Sequence, residues 1–126
     1  MKRNNLNIEN GPKIDLLYRG LDPRAVWQSL VENHVRKLRH LASIISARIV
    51  LERQRHSKPE FRVSAVLEVP GPDFHAEAKD YTLRAALGKL AENLRRQMQS
   101  RRNRQLDRRK GKAGRTFLKH LSLAVP

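Results

Sequence analysis

The hydrophobic period changes within residues 74–97, FHAEAKDYTLRAALGKLAENLRRQ. Phe74, Ala76 and Ala78 alternate with His75, Glu77 and Lys79, the period of a strand with one buried face. Past Asp80, a natural helix cap, the apolar positions become Leu83, Ala86, Leu87, Leu90, Leu94 and Met98, the three- and four-residue steps of a helical stripe. Each element hides only one side, so strand and helix must share a core.

The upstream chain supplies the rest of that core. Lys13–Tyr18 reads as a short strand with Ile14, Leu16 and Tyr18 on one side. Asp22 is placed to cap a helix and Pro23 to open it, because the first helical N–H has no partner to lose. The stripe Val26, Trp27, Leu30, Val31, His34, Leu38, Leu41 carries that helix to about His40. Two alternating runs follow, Ile45, Ala47, Ile49, Leu51 and then Phe61, Val63, Ala65, Leu67, Val69. They are separated by RHSKPE, and VPGPD supplies the next turn. Short loops between three strands predict an antiparallel meander, and the first strand returns parallel through a right-handed crossover. The expected fold is α+β in the order β-α-β-β-β-α. It is a four-stranded sheet with two roughly parallel helices on one face, like a double-stranded-RNA-binding domain (dsRBD-like). Arg48, Arg62, Ser64, His75, Glu77 and Lys79 fall on the opposite face.

Charge decides the class of partner. Across 126 residues, 27 Lys and Arg face 12 Asp and Glu, a net +15. Ten of the basic residues lie between Arg95 and Arg115, against one acid, Asp107. After Met98 no apolar residue keeps the helical phase, so the second helix is expected to overhang the core as a basic rod. A polyanion, above all nucleic acid, is the partner such a field draws. The absence of cysteine excludes disulfides and thiolate metal sites. The polar start and the lack of an apolar run of membrane-spanning length lead us to expect a soluble cytoplasmic protein that needs no membrane.

Phe74–Asp80 carries HAEA-x-D. It is followed by Ala85, Ala86, Leu87 and Leu90, then Leu94, Arg96 and Gln97 as L-x-R-Q, with Arg102 and Arg104 beyond. This block resembles the ribosome hibernation-promoting factors, ribosome-associated inhibitors that dock on the small subunit in resting bacteria. Val31, Glu32, Lys37 and Leu38 fit the family's first helix more loosely, and the resemblance covers about residues 13–105. His34 and Asn93 stand where the family carries lysine, and the end past Arg104 matches neither its short nor its long form. The resemblance implies the same element order and a seat in the small-subunit mRNA/tRNA channel near the decoding centre, blocking A- and P-site occupancy.

The residues expected to meet rRNA are Arg36, Lys37, Arg39 and His40 on the first helix. On the second they are Lys89, Arg95, Arg96, Arg101, Arg102 and Arg104, because guanidinium pairs with phosphate and stacks on exposed bases. Residues 1–12 are expected as a flexible leader, 13–105 as a ribosome-binding α+β domain, and 106–126 as a basic, flexible extension with an apolar end. Within that extension Lys110–Arg115 reads as a joint, and Phe117, Leu118 and Leu121 could pair with a second protomer.

Other chemistry finds little support. Trp27 lies on the apolar stripe and reads as core. His75, Glu77 and Lys79 share a face by alternation alone, with no nucleophile beside them. The five histidines show no ligand spacing, so no metal, cofactor, small-molecule substrate or catalytic residue is expected. Gly88 within the second helix marks either close helix packing or a tolerated defect. The alternative to a hibernation factor is a general binder of double-stranded or structured RNA, acting as a chaperone or assembly factor.

Overall fold

The computed structural model describes the backbone of residues 2–7 and 11–124 and the side chains of residues 11–108. The elements are β1 (Lys2–Asn7), β2 (Lys13–Arg19), α1 (Ala25–Leu38), β3 (Ser46–Arg53), β4 (Phe61–Glu68), β5 (Phe74–Asp80) and α2 (Leu83–Ala124). From β2 onward this is the expected β-α-β-β-β-α order. β2 and β3 pair in parallel, and β3–β4 and β4–β5 pair antiparallel. α1 and α2 therefore start at one end of the sheet and run the same way across it.

Residues 2–7 depart from the expected flexible leader. They form β1, antiparallel to β2 with Lys2 opposite Tyr18 and Asn7 opposite Lys13, extending the sheet to β1-β2-β3-β4-β5. KRNNLN has no alternation of its own, and its strand is dictated by the unpaired N–H and C=O groups along the edge of β2.

The core lies between one sheet face and the two helices. Ile14, Leu16 and Leu51 are fully buried, and Tyr18, Val31, Ala86 and Met98 are within 1% of it. α1 presents Val31, Val35 and Leu38 inward while Val26 stays 46% exposed, and Trp27 is half-buried against the cluster. Ile45, expected inward, is 54% exposed while Ile44 is buried. β3 begins only at Ser46, so alternation does not reach back to it. On the far face, Arg48, His75, Glu77 and Lys79 are exposed, and Arg62 clasps Glu77 through two hydrogen bonds of 2.7 and 2.8 Å.

Both helix starts shift from the expected caps. α1 begins after Arg24, in extended backbone and with no side-chain cap, rather than at Asp22. α2 is capped by Thr82, whose Oγ1 accepts from the Ala85 N–H at 3.1 Å. Asp80 ends β5 instead, accepting from the Tyr81 N–H at 2.7 Å and pairing with Lys89 at 2.9 Å. The turn after β2 requires glycine: Gly20 has φ +71, and a Cβ there would stand 2.7 Å from the Arg53 carbonyl oxygen.

α2 covers the sheet from Leu83 to Met98, about 23 Å at about 1.5 Å per residue, close to the length of an eight-residue strand. It then continues about 39 Å further, to Ala124. The joint expected at Lys110–Arg115 is helical backbone, because two glycines cost only about 1 kcal/mol each amid strong helix formers. No helix among the described residues is long and apolar enough to cross a membrane.

Candidate nucleic-acid interface

The parallel helices deliver most of their basic residues to the end of the slab opposite their starts, whereas Lys89 stays in the second turn of α2, paired with Asp80. Arg36 and Lys37 occupy the last turn of α1, where cations meet the negative end of the helix dipole. Arg36 Nη1 donates to Asn33 Oδ1 at 3.4 Å. Just beyond, Arg102 Nη1 donates to the His40 carbonyl at 2.8 Å and ties the end of α1 to α2. Arg36, Lys37, Arg39, His40 and Arg102 thus converge.

At about 100° per residue, the α2 cations divide between two flanks of the buried stripe. Arg95 and Arg102 point toward the α1 side. Lys89, Arg96 and Arg104 point toward the β5 edge, where Lys89 and Arg96 line a groove of about 570 Å³ with Glu77 and Lys79. Arg96, Arg101 and Arg104 line a second groove of about 350 Å³ beside Phe74. Gly88 opens on the first groove, and a Cβ added to it would meet nothing within 4 Å, so close helix packing is not its reason.

Several of these cations already have partners. Glu92 accepts from Arg95 Nε at 2.9 Å and Nη2 at 2.7 Å, and from Arg96 Nε at 3.3 Å. The Arg95 hydrogen bonds are the main reason its carboxyl is held at a pKa of about 2. One anion is thus shared by two guanidiniums, and a net positive charge remains. Lys89, and secondarily the Tyr81 N–H, lower the Asp80 pKa. Arg101 lies over the Phe74 ring, 3.7 Å from its centroid, and Nη1 donates to the Pro72 carbonyl at 2.6 Å. It occupies the next core position after Met98 and ends the stripe with an aliphatic stem under a charged head. Carbonyl partners leave the charges of Arg101 and Arg102 unneutralised.

The model of the family described as Sigma 54 modulation protein / S30EA ribosomal protein matches residues 14–113. The chain belongs to that family. Its fold is similar to the N-terminal domain of Protein Y from Thermus thermophilus, at 21% identity and a TM-score of 0.61, over 71% of this chain and 97% of that one. It is equally similar to a ribosomal subunit interface protein from Coxiella burnetii, at 19% identity and a TM-score of 0.61, with the same coverage of 71% and 97%. No curated protein matches the chain.

Sequence reasoning missed two features of this S30EA-family chain, one at the basic end and one away from it. Gln97 donates from Nε2 to the His75 carbonyl at 2.8 Å and to Asn93 Oδ1 at 2.7 Å, fastening α2 along the open edge of β5. The L-x-R-Q motif contained that signal. The other is a set of arginines at the opposite end, Arg24, Arg53 and Arg55, too scattered in the chain to register as a charge run. Phe117, Leu118 and Leu121 lie outside the residues whose side chains are described.

Proposed function

We propose that the protein is a non-enzymatic, ribosome-associated hibernation factor. Its basic end enters the phosphate-walled mRNA/tRNA channel of the small subunit near the decoding centre, blocking A- and P-site occupancy and translation. Membership of the S30EA family supports the ribosome as partner. The observation that carries the reading is the joining of the last turn of α1 to the arginine-bearing overhang of α2 through the Arg102–His40 hydrogen bond. Arg36, Lys37, Arg39, His40, Lys89, Arg95, Arg96, Arg101, Arg102 and Arg104 form the rRNA contact set. A rigid slab reading phosphate geometry suits RNA, whose deep major groove hides its base edges. If about six of these cations meet phosphate, affinity falls on the order of a thousandfold between 50 and 200 mM salt.

Purified protein should co-sediment with small subunits and suppress synthesis in a translation mixture. Reversing the charge of Arg95, Arg96, Arg102 and Arg104 together should abolish both. Retained ribosome binding by that variant would overturn the reading. Equal affinity for naked duplex RNA in competition would instead favour a general structured-RNA binder.

A further inference from the structure

The end of the slab where both helices begin holds a concave site with no part in the interface above. The cleft measures about 760 Å³, within the range of small-ligand sites. Tyr18, Arg24, Trp27, Arg53, Arg55 and Phe61 line it, coming from β2, the start of α1, the end of β3, the β3–β4 connection and β4. Three arginines face one acid of the lining, Asp22, which has an interaction of its own. Arg53 pairs with Glu60 at 3.1 Å and lies 5.6 Å from the Phe61 ring centroid. Arg24 and Arg55 are exposed, and among the described residues no partner holds their guanidinium groups.

Two further features favour an anion. α1 and α2 begin at this cleft, neither with an acidic residue in its first turn, so their N-terminal N–H groups add positive potential. The second is an unsatisfied buried group. Tyr18, one of the residues lining the cleft, is 1% exposed, and its buried hydroxyl lacks a hydrogen-bond partner. Burial raises the phenol pKa and the nearby Arg24 backbone and Gln28 side chain pull it back, yet neither closes a hydrogen bond of good geometry. An orphaned buried donor costs folding free energy that a ligand can repay.

The lining is also aromatic and aliphatic. Trp27 is half-buried and packs against the core, and Leu21, Phe61 and Leu83 line the cleft with it. Inorganic phosphate would leave that surface wet. A planar base carrying a phosphate would use both halves of the cleft. We propose that this cleft binds a nucleotide, its base against Trp27, its phosphate on Arg24, Arg53 and Arg55, and a polar base or ribose atom on the Tyr18 hydroxyl. The source is either a free mononucleotide or a single unstacked nucleotide of an RNA strand.

Trp27 is the only tryptophan, so its emission reports directly on the cleft. The full chain is titrated with adenosine 5′-monophosphate, with adenosine, with inorganic phosphate and with an adenosine trinucleotide. The mononucleotide should change the emission saturably and bind at least about tenfold more tightly than adenosine or phosphate alone. A tighter trinucleotide assigns the site to an RNA strand, and a tighter mononucleotide assigns it to a free ligand. The double variant Arg24→Ala/Arg55→Ala should weaken binding on the order of tenfold or more, through lost charge-assisted contacts, without moving the thermal midpoint. Tyr18→Phe should weaken binding severalfold while leaving the protein folded. No emission change up to about 10 mM mononucleotide, an unaltered response in the double variant, or phosphate binding as tightly as the mononucleotide would each overturn the proposal. The four-arginine charge reversal at the other end should leave this titration unchanged, which separates the failure of one site from that of the other.

Discussion

Replacing Glu92 with glutamine should strengthen RNA binding, although it removes a contact. In the free protein the carboxylate holds Arg95 through two hydrogen bonds and Arg96 through one. Its pKa of about 2 keeps it ionised at any pH where the protein would be handled, so it competes with phosphate for both guanidiniums. The amide has the same shape and no charge. If both arginines then reach phosphate, the contact number rises from about six to about eight. The slope of log K against log salt steepens by about 0.9 for each, from roughly −5.4 to roughly −7.2. Between 50 and 200 mM salt, the variant should lose about tenfold more affinity than the parent chain while binding more tightly at the low-salt end. Filter binding or anisotropy with small-subunit rRNA fragments at four salt concentrations reads both numbers. An unchanged slope would mean that Glu92 does not withhold Arg95 and Arg96 from phosphate, and would refute the reasoning. Weaker binding would mean that Glu92 orients them for it. Between pH 5 and 8 the parent slope should show no change traceable to Glu92, because a lowered carboxylate pKa matters only as pH falls toward it.

Arg101→Ala should lower stability by about 1–2 kcal/mol in urea unfolding, the sum of a ring contact and a hydrogen bond, and no loss would show that the Phe74 and Pro72 contacts are incidental. His34 sits among apolar side chains of both helices, and burial, then Lys37, lowers its pKa. The unfolded chain therefore binds its proton first. Stability should be complete above about pH 6.5 and decline as pH falls below it, and His34→Leu should flatten that decline in thermal melts. We propose that Phe117, Leu118 and Leu121 mediate self-association. Deleting residues 116–126 should then reduce the sedimenting mass of the free protein without weakening ribosome binding, and an unchanged mass would refute it.

Much of the fold was legible because burial imposes a period. Phe61–Val69 and Phe74–Lys79 alternate because one face is hidden, and Leu83–Met98 steps by threes and fours for the same reason. The crossover rule then orders the strands. The stripe stops at Met98 because the sheet is one strand-length wide there. Local signals failed where a neighbour outweighed them. KRNNLN pairs because β2 offers an open edge, Thr82 takes the cap that Asp80 was expected to supply, and α1 opens after Arg24 with no side-chain cap.

For the basic surface, the cations themselves were readable, since a charge run belongs to the chain. Spacing alone also placed Glu92 three and four residues from its two arginines. Arg101 meets Pro72 across 29 residues, and Arg102 meets His40 across 62. Residue type and period were enough for the β-α-β-β-β-α order, the sign of the field and a basic rod running past Met98, but not for β1 or for the helix continuing through Lys110–Arg115. Packing between distant segments settles which cations are tethered, which flank each one takes and how Arg24, Arg53, Arg55 and Tyr18 come to line one cleft. Those depend on distances between segments far apart along the chain, and neither period nor composition encodes them.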